Sequence, residues 1–236
     1  MWIKICGITS LEDAELAVAA GADAVGFVFA ESPRRVKVDA VREITSKLPR
    51  RIEKIGVFVD STLEEVLSAI HNAGLSGVQL HGEYRGEFVQ ELRARTDKNA
   101  RPLHIVRVLH CGADAEGFEI ALRATSANKI IETVLVDTRS ADKEGGTGVP
   151  FDWLAARNSF LMHAPHVRLI AAGGLTPENV REAIHTLRPW GVDVSSGVEF
   201  VPGRKDRARV AEFIRAARTA TLELDRKKIG IERVKC

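Results

Sequence analysis

Residues 167–199 read "VRLIAAGGLTPENVREAIHTLRPWGVDVSSGVE". The stretch opens on an apolar run, 167–174, with no polar residue between Leu169 and the two glycines that end it. A strand with one face in water alternates apolar and polar residues; an unbroken run fits a strand buried on both faces, as in a parallel sheet covered by helices. "TPENVREAIHTL" then carries a helical pattern, with Thr176 as its cap and Pro177 at the first helical position, where a missing N–H costs nothing. A second apolar run, 191–196, follows at once. Strand, helix and strand in this space make one parallel crossover unit.

The same unit repeats along the whole chain. Strands are expected at 2–8, 24–29, 52–59, 77–81, 103–109, 132–137, 167–174 and 191–196. Helical patterns fill the gaps. "SLEDAELAVAAGA" has Ser10 as cap, Asp13 three residues on and Gly21 as stop; "STLEEVLSAIHNAG" has Ser61 or Thr62 as cap and Gly74 as stop. The helix after strand five is interrupted by Gly117, the one after strand six is short, and "KDRARVAEFIRAARTATL" closes the series. Eight β-then-α units in 236 residues predict a single (β/α)8 TIM barrel. A doubly wound open sheet is the alternative, but no G-x-G-x-x-G opens a helix after the first strand. The barrel is expected over residues 1–220, with 221–236 a basic tail.

Composition narrows the function classes. No apolar run is long enough to span a bilayer, and the N-terminus lacks a secretory signal pattern, so a cytoplasmic protein is expected. Cys6, Cys111 and Cys236 are far apart and odd in number, which makes no disulfide framework. Seven histidines occur without HxxxH or HxH spacing, so no zinc site is read. The net charge of +2 is uneven: residues 204–236 hold 11 Lys/Arg against 5 Asp/Glu. The excess sits in a last helix and tail, "DRKKIGIERVKC", which carries no aromatics, so it reads as a solvated helix face rather than a nucleic-acid surface.

In such barrels the chemistry gathers where strands end and βα loops begin. Cys6 ends strand one, Arg34 and Arg35 follow strand two, His81 ends strand four and Asp137 strand six. Gly173 and Gly174 end strand seven, and Ser195, Ser196 and Gly197 end strand eight. Glycines let backbone approach a ligand closely, and free N–H groups at a helix start attract an anion. Adjacent loops of this kind after strands seven and eight are the usual phosphate site of the fold. Asp137 closes an apolar run, where a carboxyl is more easily kept protonated, as a general acid needs; capping of the loop is the plainer reading. Cys6 reads either as a small buried hydrophobe or as a thiol whose pKa a nearby cation lowers. Lys4, two residues earlier, points to the same side; inside a barrel its ammonium needs a partner. The glycine-rich loop after Asp137 has the make-up of a segment that closes over substrate.

Seven segments carry a family pattern in order between residues 2 and 203: "KICGIT", "GADAVGFVFAESPRRV", "GVFVD", "VQLHGE", "LVDT…GGTGVPFDW", "AGGLTPENV" and "GVDVSSGVE". The set resembles the phosphoribosylanthranilate isomerases of tryptophan biosynthesis. The resemblance implies a (β/α)8 fold, no metal or organic cofactor, and an Amadori rearrangement of a small-molecule substrate, with no nucleic-acid or membrane partner and a monomer or homodimer. It places the general base on Cys6 and the general acid on Asp137. It places the contact to the anthranilate carboxylate on Arg34 and the phosphate contacts on Gly173, Gly174, Ser196 and Gly197. Asp193 falls in the substrate site, and Lys4 and His81 are assigned there with it.

Four features depart from the family pattern. The loop after strand two is short, so Arg35 stands as the alternative to Arg34. Arg107 on strand five is a replacement contact or a barrel-core ion pair. "HGEYRGEF" lacks the usual acidic turn, and the tail runs past the family's usual end. Other phosphosugar enzymes on this scaffold are the rival reading, but an epimerase would need metal-ligating aspartates and histidines at strand ends, and indole-glycerol-phosphate synthase would need lysine and glutamate there. A non-catalytic phosphosugar-binding barrel is the rival from another class.

Overall fold

The computed structural model describes residues 1–97, 102–110, 115–137 and 153–234. Eight parallel strands close into a barrel: β1 (Trp2–Ile5), β2 (Ala24–Val28), β3 (Glu53–Val59), β4 (Gly77–His81), β5 (His104–His110), β6 (Thr133–Asp137), β7 (Arg168–Ala172) and β8 (Gly191–Val194). The helices are α1 (Leu11–Ala20), α2 (Val38–Thr45), α3 (Leu63–Ala73), α4 (Gly86–Thr96), α5 (Ala115–Ala127), α6 (Trp153–His163), α7 (Val180–Leu187) and α8 (Arg207–Val234). Each of the eight expected strands is present.

Strand periodicity sorts the core into two parts. Residues facing inward form one cluster of Trp2, Ala24, Ile55, Val106, Val108, Leu135, Ile170 and Ala172. Residues facing outward, such as Ile3, Ile5, Val25, Phe27, Val134 and Val136, pack under the helices in a larger cluster. Since β1 alternates, Trp2 and Ile3 face opposite ways, and Lys4 and Cys6 follow Trp2 inward. This is why runs buried on both faces read as continuous in the sequence.

Several boundaries move for local reasons. β1 stops at Ile5 because Gly7 turns into the left-handed region at φ +75°, although the Cys6 N–H still bonds the Val194 carbonyl at 2.8 Å. β7 stops at Ala172 because Gly173 and Gly174 lie at φ +86° and +67°. β8 gives way to a 3-10 turn, Ser196–Val198. Ser10 caps α1 and Thr62 caps α3, the latter with a reciprocal bond from Glu65, while Gly21 and Gly74 end those helices in the left-handed region.

Three helix expectations are corrected. α5 runs through Gly117 without interruption, because burial of Phe118 and Leu122 against the barrel outweighs the modest helix penalty of one glycine. α7 starts at Val180, not at Pro177; the Asn179 side chain accepts from the Thr176 N–H and donates to the Gly174 carbonyl, holding 174–179 as a turn. α8 starts at Arg207, with Asp206 accepting the Arg209 N–H. Lys205 belongs instead to a small hairpin of β9 (Glu199–Val201) and β10 (Arg204–Lys205). α8 then continues to Val234 across position 221. The loop after β6, Cys111 and Cys236 lie outside the described residues.

Candidate active site

At the C-terminal ends of the strands lies a cavity of ≈ 230 Å³. Cys6, Arg34, His81, Asp137, Gly173, Gly174, Asp193, Ser196 and Gly197 all line it. Lys4 lies one layer deeper. A larger cavity, ≈ 580 Å³, opens at the opposite rim around Arg51, Arg93, Lys129 and Trp190, and none of the strand-end residues reaches it.

The floor of the site is a polar relay across the barrel. The register of β1 on β8 sets Lys4 opposite Asp193, and the Lys4 ammonium donates to Asp193 Oδ2 at 2.9 Å and to Gln79 Oε1 at 2.7 Å. Gln79 Nε2 is 2.8 Å from His81 Nε2. Because the Gln79 oxygen already accepts from Lys4, its amide donates to His81, whose Nε2 is then the acceptor and whose ring proton sits on Nδ1. Lys4 is 1% exposed. Burial works against its ammonium, but Asp193 and the Cys6 sulfur more than offset that and hold its pKa above the usual lysine value. Asp193 Oδ1 is buried and has no hydrogen-bond partner among the described residues.

Cys6 faces this relay, not the outer helices. Room for it comes from Gly26 on β2: a Cβ there would stand 2.7 Å from Cys6 Sγ and 2.7 Å from Lys4 Cε. Burial pushes the thiol above its ordinary value, and Asp193 adds to the push; Lys4 and Lys205 pull the other way without cancelling it. The expected lowering by Lys4 is therefore real in direction but loses to desolvation. Asp137 ends β6 beside Ala172, is 8% exposed, and reaches the same cavity.

The two glycine loops meet at Gly197, whose Cβ would collide with the Leu175 carbonyl at 1.9 Å. No side chain fits there, so the loops after β7 and β8 form one continuous rim. Of the two arginines after β2, Arg34 turns to the cavity and Arg35 does not; Arg35 is exposed beside Glu31. Arg107 follows the outward face of β5, lies 5.8 Å from the centre of the Tyr84 ring, and among the described residues is neither a cavity contact nor part of a barrel-core ion pair.

The sequence reading missed Gly26, Gln79, Glu199 and Lys205. Glu199 accepts from Arg34 and Lys205 at the edge of the site. A signal existed for the last pair: Pro202-Gly203 between them is a turn dipeptide, and it predicts a hairpin.

Comparison with known proteins agrees with this geometry. The family model described as N-(5'-phosphoribosyl)anthranilate (PRA) isomerase matches residues 3–216. The N-(5'-phosphoribosyl)anthranilate isomerase of Trichlorobacter lovleyi is 43% identical over 219 residues, 92% of this chain and 98% of its own. A crystal structure of phosphoribosylanthranilate isomerase in complex with reduced 1-(o-carboxyphenylamino)-1-deoxyribulose 5-phosphate superposes with a TM-score of 0.77 at 36% identity, covering 93% of this chain and 99% of that one. Monomers of the dimeric Thermotoga maritima enzyme superpose with a TM-score of 0.76 at 36% identity over the same shares. Sequence match along nearly the whole barrel and the closed eight-stranded fold agree, and the chain belongs to the N-(5'-phosphoribosyl)anthranilate isomerase family.

Proposed function

We propose that Cys6 is the general base and Asp137 the general acid in the conversion of N-(5-phosphoribosyl)anthranilate to 1-(2-carboxyphenylamino)-1-deoxyribulose 5-phosphate. The chain is an aldose–ketose isomerase, an intramolecular oxidoreductase. The observation that carries the assignment is the convergence of Cys6, Asp137 and both glycine loops on one cavity.

The chemistry needs two proton transfers at different places on one sugar. Asp137 protonates the furanose ring oxygen while the anthranilate nitrogen pushes electrons toward C1, so the ring opens to a Schiff base. Cys6, as thiolate, then removes the proton from C2 and leaves an enolamine, which tautomerises to the ketone. Strands β1 and β6 lie three positions apart around the barrel, which supports placing the two groups on different sides of the sugar. Only the thiolate accepts a proton, and a thiol raised by burial must first give its own away; Lys4 and Lys205 favour the charged form once it exists. The substrate phosphate rests against the backbone at 173–174 and 196–197, and Arg34 meets the ring carboxylate. Asp193 Oδ1, buried without a partner among the described residues, offers an acceptor to a sugar hydroxyl, with His81 beside it. Each step is a proton transfer for which these side chains suffice.

The catalytic unit on this reading is residues 1–220, which the end of the family match at 216 supports, and 221–236 is an appendage. The enzyme works in the cytoplasm on a small phosphorylated substrate, as a monomer or homodimer; the dimeric Thermotoga maritima relative supports the latter. Among the described residues no helix is long and apolar enough to cross a membrane. The test is the loss of phosphoribosylanthranilate fluorescence with purified protein and no added metal. Cys6→Ala and Asp137→Asn should each lower turnover by ~100-fold or more while substrate still binds. A Cys6→Ala enzyme with near-wild-type turnover removes the thiol from the mechanism.

A further inference from the structure

Glu199 takes no part in the proton transfers, yet it is tied into the site by both of its oxygens. Its side chain is 4% exposed. Arg34 Nε donates to it at 2.9 Å and Arg34 Nη2 at 2.6 Å, and Lys205 Nζ donates at 2.8 Å. Burial alone would raise the Glu199 carboxyl, but Arg34 and Lys205 hold it below the usual carboxylate range. The hairpin explains why these groups meet. β9 and β10 pair Lys205 with Glu199, and partners across antiparallel strands place their side chains on one face. That face is turned inward: the Lys205 side chain is 0% exposed, and its ammonium also reaches the Ser195 carbonyl at 3.3 Å.

Arg34 is gripped from the other side as well. Gly7, at φ +75°, lies so close that a Cβ would stand 2.6 Å from Arg34 Cδ and 2.9 Å from Ser195 Oγ. With Nε and Nη2 bound to Glu199, Nη1 makes no hydrogen bond among the described residues, and the guanidinium keeps its far edge for the cavity. A guanidinium recognises a carboxylate through a planar two-donor edge, so its orientation decides whether it recognises one at all. On a long stem without Glu199 that plane would be free to turn.

We infer that Glu199, locked by Lys205 across the hairpin, is a positioning residue that fixes the plane of Arg34 and so gives the site its preference for a carboxylate-bearing aryl substrate. The inference rests on the contact of Arg34 with the ring carboxylate proposed above. The test compares N-(5-phosphoribosyl)anthranilate with N-(5-phosphoribosyl)aniline, which lacks the carboxylate, product being followed by liquid chromatography. The variants are Arg34→Ala, Glu199→Gln, and Glu199→Gln combined with Lys205→Met. Gln keeps the shape and one acceptor for Lys205 but turns an amide donor toward the guanidinium donors. The paired variant removes both buried charges together, so it leaves no unpaired ammonium that would prevent folding.

All three variants should lose about tenfold in the kcat/KM preference for the carboxylate substrate, through a raised KM. The kcat of Glu199→Gln on the aniline substrate should stay within about threefold of wild type. A folded Glu199 variant that keeps the preference while Arg34→Ala loses it overturns the positioning role. A fall of Glu199→Gln on both substrates alike overturns it too, since Glu199 would then support the site as a whole. An Arg34→Ala enzyme that keeps the preference refutes the carboxylate contact itself, and the inference with it.

Discussion

Gly26→Ala is the smallest change that tests the packing of the layer that holds Cys6 and Lys4. Position 26 sits in the middle of β2 at an ordinary strand conformation, so alanine suits the backbone, and removing a glycine there should stabilise the chain by ~0.4–1 kcal/mol through the unfolded state alone. The structure reverses that sign. The new methyl would stand 2.7 Å from Cys6 Sγ, 2.7 Å from Lys4 Cε and 3.1 Å from the Cys6 Cα. Comfortable separations are ~3.5–4.0 Å, so the sulfur and the lysine stem must each move by about 1 Å. Neither has room: Cys6 is 7% exposed, and Lys4 is held by two hydrogen bonds. Overpacking of this kind costs about 1–3 kcal/mol, and displacing a reacting group by about 1 Å costs on the order of 100-fold in rate. Urea unfolding and the fluorescence assay measure the two effects. Gly86→Ala is the control, since the nearest atom to its new methyl, Asn128 Nδ2, is 3.9 Å away. A Gly26→Ala enzyme as stable and as fast as wild type would refute the packing of Cys6 and Lys4 against β2.

Two further predictions follow from charge. Burial, helped by Asp193, raises the Cys6 thiol despite Lys4 and Lys205, so the thiolate fraction near neutrality is smaller than for a free cysteine, and it grows as pH rises toward the thiol's own value. kcat/KM should therefore climb between about pH 6.5 and 8.5, and a flat profile there would rule out the thiol as base. At the opposite rim Glu53 accepts from His104 Nδ1 at 2.6 Å and Trp2 Nε1 at 3.3 Å; burial opposes its charge, but His104 and Trp2 hold its carboxyl below the usual range. A lowered folded-state pKa means stability that is present above ~4.3 and lost as pH falls through the folded value. Glu53→Gln should cost about 1–2 kcal/mol in urea unfolding at pH 7, flatten the acid loss of stability, and leave kcat unchanged; a change in kcat would link the two rims.

The amino-acid order alone determined the barrel and the rim on which the strand-end polar residues and glycines gather. Strands buried on both faces read as unbroken apolar runs, and the residue that breaks each run marks its C-terminal end. The strand-end positions of Cys6, His81, Asp137 and Gly173 were legible on that ground, as were the cap at Ser10 and the pair Ser61 and Thr62 from which α3 takes its cap, because all of these depend on neighbours a few positions away. Only the closed structure decided what those residues meet. Lys4 and Asp193 are 189 positions apart and touch because β1 pairs with β8 at closure. Arg34 and Glu199, 165 apart, settle which of two adjacent arginines faces the cavity. Gly26 has no local signature, since its need for a bare Cα comes from a sulfur on the next strand. The charge state of Cys6 shows the same limit: Lys4 is visible in the sequence, but desolvation is a property of everything packed around the sulfur, and here it outweighs the nearby cation.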